Sequence, residues 1–255
     1  MTTWILLRGL TRESRHWGDF AVQFQQAFPE DMLVPLDMAG NGRLNQQTSP
    51  RQVAAMVADC RVQLAKRSIA PPYHLLAMSL GAMVSVAWAQ AHGHDIAAQV
   101  LINTSMRPFS PFYQRLKPAN YATLLRLAWP GTPPELVERA VLRMTSNRQD
   151  VAVLPHWLAL RRDCPVSGRN AFHQLVAAAR FEAPVGKPPT PTLLLASELD
   201  QLVSVKCSQS LASAWQCPLQ LHPTAGHDLP LDDAPWVIAR VQEWLSHERH
   251  KNETR

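Results

Sequence analysis

Short apolar runs alternate with amphipathic stretches along most of the chain, the pattern of β-strands joined by crossover helices in a parallel sheet. The runs Trp4–Leu7, Met32–Leu36, Tyr73–Ala77, Gln99–Ile102, Thr192–Ala196 and Leu219–His222 predict six strands. Between them, Trp17, Phe20, Phe24 and Ala27 share one helical face, and Val53, Met56, Val57, Cys60 and Leu64 share another. Ser49-Pro50 reads as the N-cap and first residue of that second helix. Near the end, Val237, Ile238, Val241, Trp244 and Leu245 recur at helical spacing, with Asp232 or Asp233 as cap and Pro235 in the first turn. The polar tail His247–Arg255 is expected to fray.

The rhythm breaks between the fourth and fifth strands. Arg107 to Thr190 contains no convincing strand but several helical patterns, among them Leu136, Ala140 and Met144, then Trp157 and Leu160. Short amphipathic helices are marginal alone and need a surface to cover. The prediction is a core over residues 1–106 and 191–255, interrupted by a helical cap over 107–190 that lies across the C-terminal edge of the sheet, where open α/β sheets bind ligands.

Composition narrows the class without changing this outline. With 255 residues, 46% hydrophobic and 18% charged, the chain is neither collagen-like, disordered nor a coiled coil. Cys60, Cys164, Cys207 and Cys217 form no C-x-x-C pair and read as reduced thiols of a cytoplasmic protein. The first residues lack the basic region and apolar length of a secretion signal. Ser68–His94 carries no charged residue other than histidine over the length of a membrane span, but Pro71-Pro72, Ser79, Gly81, Ser85, Gln90 and His92 punctuate it, as suits a buried strand and helix. Net charge is +5, yet between Arg107 and Lys187 there are 12 Lys/Arg against 5 Asp/Glu. Such a region attracts anions, whether carboxylate substrates, phosphopantetheine carriers, anionic lipid or nucleic acid, or it is a set of solvated arginines.

The chemistry concentrates at three places. His74-Leu75-Leu76-Ala77-Met78-Ser79-Leu80-Gly81 runs from a strand through small-x-Ser-x-Gly into an Ala-rich helix, the context of a nucleophile elbow. Such a turn needs small residues two before and two after the serine, and Ala77 and Gly81 supply them. By itself a serine at the start of a helix is more often an ordinary N-cap. A serine nucleophile needs a base and an acid that orients the base. Asp200 follows the strand Thr192–Ala196, and His227 follows the last strand in Thr224-Ala225-Gly226-His227-Asp228. Glu198, two residues before Asp200, is an alternative acid.

The order Ser79, Asp200, His227 resembles the α/β-hydrolase superfamily, and the resemblance covers nearly the whole chain. Leu7-Arg8-Gly9-Leu10 is similar to the family's oxyanion loop, and Leu36-Asp37-Met38-Ala39-Gly40-Asn41-Gly42-Arg43 to its Asp-x-Pro-Gly-x-Gly turn. The resemblance implies an α/β-hydrolase fold of about six mostly parallel strands with helices on both faces and a helical cap. It also implies oxyanion donors at the N–H groups of Leu10 and Leu80. Arg8 stands where the family usually has histidine, Ala39 and Asn41 replace its proline and histidine, and the leading antiparallel strands are missing.

His92-Gly93-His94 resembles a metal pair but falls where the helix after Ser79 should end. Phe109, Phe112, Tyr113, Tyr121 and Trp129 could line an acyl pocket or pack the cap on itself, and His16 and Trp17 follow the oxyanion loop. Neither a phosphate-binding G-x-x-x-x-G-K-[ST] loop nor an H-E-x-x-H pair occurs. The expectation is a cofactor-free, metal-free serine hydrolase acting on a small-molecule carboxylic ester or thioester, with an anionic or carrier-bound acyl group as the candidate the basic cap suggests, with no nucleic-acid partner and no membrane span. A lyase or C–C bond hydrolase on the same residues, or a non-catalytic ligand-binding protein of the same fold, are the alternatives.

Overall fold

A computed structural model describes residues 1–129 and 131–253. The chain runs β1 (Thr3–Leu7), α1 (Gly18–Ala27), β2 (Met32–Leu36), α2 (Val53–Lys66), β3 (Tyr73–Met78), α3 (Leu80–Ala91) and β4 (Ile96–Ile102). Five helices follow: α4 (Phe112–Arg115), α5 (Tyr121–Leu127), α6 (Pro134–Thr145), α7 (Leu154–Asp163) and α8 (Gly168–Arg180). Then come β5 (Thr192–Ser197), α9 (Val205–Trp215), β6 (Leu219–His222), α10 (Leu229–Asp232) and α11 (Ala234–Glu253). The strands form one six-stranded sheet in the order β2-β1-β3-β4-β5-β6, with every pairing parallel.

The central strands read as unbroken apolar runs because both faces of the sheet are covered. Side chains alternate: Ile5, Leu7, Leu75 and Ala77 pack with Val57 of α2, Leu80 of α3 and Leu211 of α9. Trp4, Leu6, Leu76 and Met78 pack on the other face with Phe24 of α1 and Val237 and Val241 of α11. The uncharged stretch from Ser68 to His94 is therefore β3 and the buried helix α3. Among the described residues no helix is long and apolar enough to cross a membrane.

Two local readings need correction. Ser49 does not open the second helix, which starts at Val53 with Gln52 as its N-cap residue. Its hydroxyl instead donates to the Ala39 carbonyl at 2.7 Å, because a buried carbonyl elsewhere in the fold needs a partner more than an exposed helix end does. The C-terminal helix continues past His247 to Glu253, and residues 254–255 of the tail expected to fray lie outside the described residues. Asp233, of the two cap candidates, accepts from Trp236 N–H at 3.0 Å, while Asp232 is used elsewhere.

Register decides where chemistry can gather. Leu7 pairs with Leu36 and Ala77, Ile102 with Leu195, and Ser197 with His222, so the strands end together. The loops carrying Gly9, Ser79, Asn103, Asp200 and His227 all leave this one edge. After β1 the chain goes outward to β2 and then returns to β3, so the crossovers diverge between β1 and β3 and open a crevice there. Helices α4 to α8 stand between the ends of β4 and β5, and the Arg107–Glu182 bridge, with Ala183 N–H donating to Arg107 C=O at 2.7 Å, closes their neck.

Candidate active site

Ser79 joins β3 to α3 with φ 54° and ψ −115°, a left-handed conformation that a residue with a Cβ adopts only when its surroundings impose it. Its N–H donates to Ile102 C=O at 3.0 Å, and its hydroxyl makes no cap bond to the helix. It is thus not the ordinary N-cap that its position would suit. A Cβ on Gly81 would lie 2.4 Å from the Leu7 carbonyl oxygen, so only glycine lets α3 start against the end of β1. A Cβ on Gly9 would lie 3.2 Å from Ser79 Cβ and 3.7 Å from its Oγ, which places the backbone after β1 directly beside the hydroxyl.

Asp200 and His227 meet at the same edge. His227 Nδ1 lies 2.7 Å from Asp200 Oδ2, and both residues are buried. The other carboxylate oxygen accepts the N–H groups of Leu202 at 2.7 Å and Val203 at 2.9 Å. With a carboxylate facing Nδ1, the ring proton sits on Nδ1 and Nε2 keeps its lone pair. Glu198, the alternative acid, is exposed. The three residues 121 and 27 positions apart in sequence are carried to one sheet edge by β3, β5 and β6.

Several partners are not paired with one another by any sequence signature. Arg8, which stands where the family usually has histidine, is buried and donates through Nη1 at 3.1 Å and through Nη2 to the Asp228 carboxylate. This clamp links the strand end before Gly9 to the residue after His227. Its guanidinium carbon also lies 4.8 Å from the Trp17 ring centre. Asn103 donates to His227 C=O at 2.8 Å and accepts from Ser197 N–H at 2.8 Å, fixing the His227 loop to β5. The paired signal for the clamp was present, an unexpected arginine and an aspartate beside the candidate base, but nothing in sequence joined positions 220 apart.

Helices α4 to α8 are fastened to these loops. Asp228 N–H donates to Thr145 C=O at 2.6 Å, and Asn147 Nδ2 donates to Leu199 C=O at 3.1 Å and Thr224 C=O at 2.9 Å. Asp232 accepts from Gly226 N–H at 2.7 Å and Asn147 N–H at 2.9 Å, which is why it does not cap α11. Lys117 Nζ reaches Asp200 C=O. Arg12, three residues after Gly9, donates to buried Glu138 of α6 at 2.7 Å and lies over Trp157 of α7 at 4.3 Å. Burial, reinforced by the Arg12 and Arg8 cations, holds His16 well below the usual imidazole range, so it stays neutral. Trp17 is core.

The aromatic candidates divide. Phe109 packs edge-on against Trp215, whereas Phe112, Tyr113 and Trp129 are largely exposed and form neither a pocket nor a cap core. His92 caps the C-terminal end of α3, and among the described residues no His/Cys/Asp/Glu group could hold a metal ion. Burial raises the thiols, pushing Cys60 up to about 12 and Cys217 up to about 11, which makes them poor nucleophiles near neutral pH. A groove of about 630 Å³ between α5 and α6 has Leu127, Leu136 and Met144 in its lining, with Arg126, Arg143 and Gln201, the residue after Asp200.

Comparison with known proteins fits this architecture. The structure superposes on an esterase from Rhodococcus sp. with a TM-score of 0.76 at 18% identity, covering 96% of this chain and 90% of the other. A thermophilic esterase from Thermogutta terrifontis gives 0.71 at 17%, over 97% and 90%. A meta-cleavage product hydrolase from Pseudomonas fluorescens gives 0.75 at 15%, over 97% and 92%. Sequence comparison with curated proteins finds no match. The model of the alpha/beta hydrolase family matches residues 4–240, and the chain belongs to that family.

Proposed function

We propose that the protein is a serine hydrolase that cleaves a carboxylic ester or thioester through an acyl-enzyme. The observation that carries this reading is the buried Asp200–His227 hydrogen bond of 2.7 Å at the same sheet edge as Ser79, whose backbone is held left-handed and whose hydroxyl is left free of capping. Ser79 Oγ attacks the acyl carbonyl and His227 Nε2 takes its proton, while Asp200 fixes the tautomer and stabilises the imidazolium that forms. The N–H groups of Leu10 and Leu80 receive the developing oxyanion. His227 then protonates the leaving alcohol or thiol, and water, deprotonated by the same ring, discharges the acyl group. The residues do this without a metal or an organic cofactor.

The test is intact mass after treatment with a fluorophosphonate at pH 8. Wild type gains one adduct, Ser79→Ala gains none, and His227→Ala labels far more slowly. A folded wild type that stays unlabelled counts against the reading. Labelling with no turnover of any ester or thioester would transfer the same residues to a lyase or C–C bond hydrolase.

The basic cap further supports a substrate with an anionic group. Arg126 and Arg143 border the groove beside Gln201, and among the described residues neither is in an ion pair. Esters bearing a carboxylate or phosphate should therefore show a higher kcat/KM than neutral esters of equal length, with an advantage that shrinks as salt screens the arginines. Equal kcat/KM for charged and neutral esters at all salt concentrations removes this preference.

A further inference from the structure

The loop beside Ser79 is held in a conformation its own residues disfavour. Gly9-Leu10-Thr11-Arg12 forms a turn closed by Arg12 N–H donating to Gly9 C=O at 3.2 Å. Thr11, its third residue, has φ 58°. A positive φ at that position is the mark of a type II turn, where glycine is the usual occupant and a β-branched residue is strained. Some contact outside the turn must hold it.

That contact comes from the cap. The Thr11 N–H donates to Gln174 Oε1 at 2.8 Å. Gln174, on α8, is fully buried and uses its other end as well, donating through Nε2 to Asn41 Oδ1 at 2.8 Å and Ser49 Oγ at 3.0 Å. Asn41 returns to the same loop by donating from Nδ2 to Arg12 C=O at 3.0 Å. The ring of bonds closes around Thr11 and Arg12. It also explains why Ser49 is drawn inward and why Gly40 must be glycine, since a Cβ there would lie 2.0 Å from Ser49 Oγ.

We infer that Gln174 is a positioning residue for the oxyanion loop: by accepting the Thr11 N–H it fixes the Leu10–Thr11 peptide plane and so holds the adjoining Leu10 N–H toward the space above Ser79. The inference rests on the hydrolase reading for its catalytic consequence, but the loop anchoring itself does not. Its meaning is that α8 completes the oxyanion site, and the core alone does not. The Leu10 N–H has no protein acceptor among the described residues, as a donor reserved for a reacting oxygen requires.

The experiment compares Gln174→Met, which keeps length but loses both bonds, with Gln174→Glu, which keeps an acceptor for Thr11. Steady-state hydrolysis of p-nitrophenyl butyrate and hydrogen exchange of the Gly9–Glu13 backbone are read on the full chain. For Gln174→Met, kcat falls about 10- to 100-fold because the donor is displaced and not deleted. KM stays within about twofold, since the lost interaction is made in the transition state. Exchange at Thr11 rises at least about tenfold, and Gln174→Glu, which keeps the Thr11 acceptor but sets a carboxylate oxygen against Asn41 Oδ1, recovers part of both.

A Gln174→Met protein with wild-type kcat, a loss confined to KM, or unchanged exchange at Thr11 overturns the inference. If wild type neither labels with fluorophosphonate nor turns over the ester, the hydrolase reading fails, and the exchange arm alone decides whether Gln174 anchors this loop. Should Gln174→Met not fold, Asn41→Ser, which removes one support of Gln174, must lower kcat and raise exchange in the same direction; unchanged values for it overturn the inference equally.

Discussion

Asp200→Asn should lower kcat for an activated ester by about 10⁴-fold while the protein stays folded. The asparagine oxygen can still accept the Leu202 and Val203 N–H groups that the carboxylate accepts now. Its amide nitrogen, however, then faces His227 Nδ1 across the present 2.7 Å contact. Two donors cannot face each other, so Nδ1 becomes the acceptor and the ring proton moves to Nε2. In that tautomer the ring cannot take the Ser79 proton. The check is kcat and KM on p-nitrophenyl butyrate together with a thermal melt. A loss of less than about tenfold would mean that Asp200 neither sets the tautomer nor stabilises the imidazolium, the two roles assigned to it.

The second large effect is on stability. Arg8 and Asp228 are 2% and 4% exposed in their side chains and pair with each other across the site. Removing one charge strands the other in a low-dielectric setting, which costs about 3–5 kcal/mol. In a chain of this size each kcal/mol moves the melting midpoint by about 2–4 °C. Arg8→Met or Asp228→Leu should therefore lower it by about 6–20 °C. The double variant Arg8→Met/Asp228→Leu should regain most of that loss, because two apolar side chains need no desolvation of charge. Thermal and urea unfolding of the four proteins give the coupling directly. Single variants that melt with wild type, or a double variant no better than the singles, would show that the pair does not hold the two loops together.

Both effects arise from contacts that differ in how far they could be read from sequence. That Ser79, Asp200 and His227 stand at one sheet edge is legible because each follows an apolar run that reads as a strand, and a serine between Ala77 and Gly81 has a steric reason to be there. The choice of Asp200 over Glu198 was not settled by type or spacing. It depends on which carboxylate the turn after β5 buries, and the Leu202 and Val203 N–H groups pull Asp200 inward. The Arg8–Asp228 clamp, the Asn103 bridge and the Gln174 ring were invisible for a different reason. Each joins residues about 90 to 220 positions apart, and side-chain hydrogen bonding of that range follows no periodicity.

Alternating runs of apolar and amphipathic residues by themselves determined the six strands, their parallel pairing through crossovers and the interruption after β4, because burial of both sheet faces imposes a pattern along the chain that any long window displays. Tertiary structure alone decided what the polar residues near the sheet edge do. Ser49 looks like a helix cap and serves a buried carbonyl; Asp232 looks like another and serves the His227 loop; Arg8 stands in place of a histidine and is half of a buried pair. Apolar side chains are sorted by area, which is local and additive, whereas a buried polar group is placed by whichever partner reaches it, and that partner is known only once the chain has closed on itself.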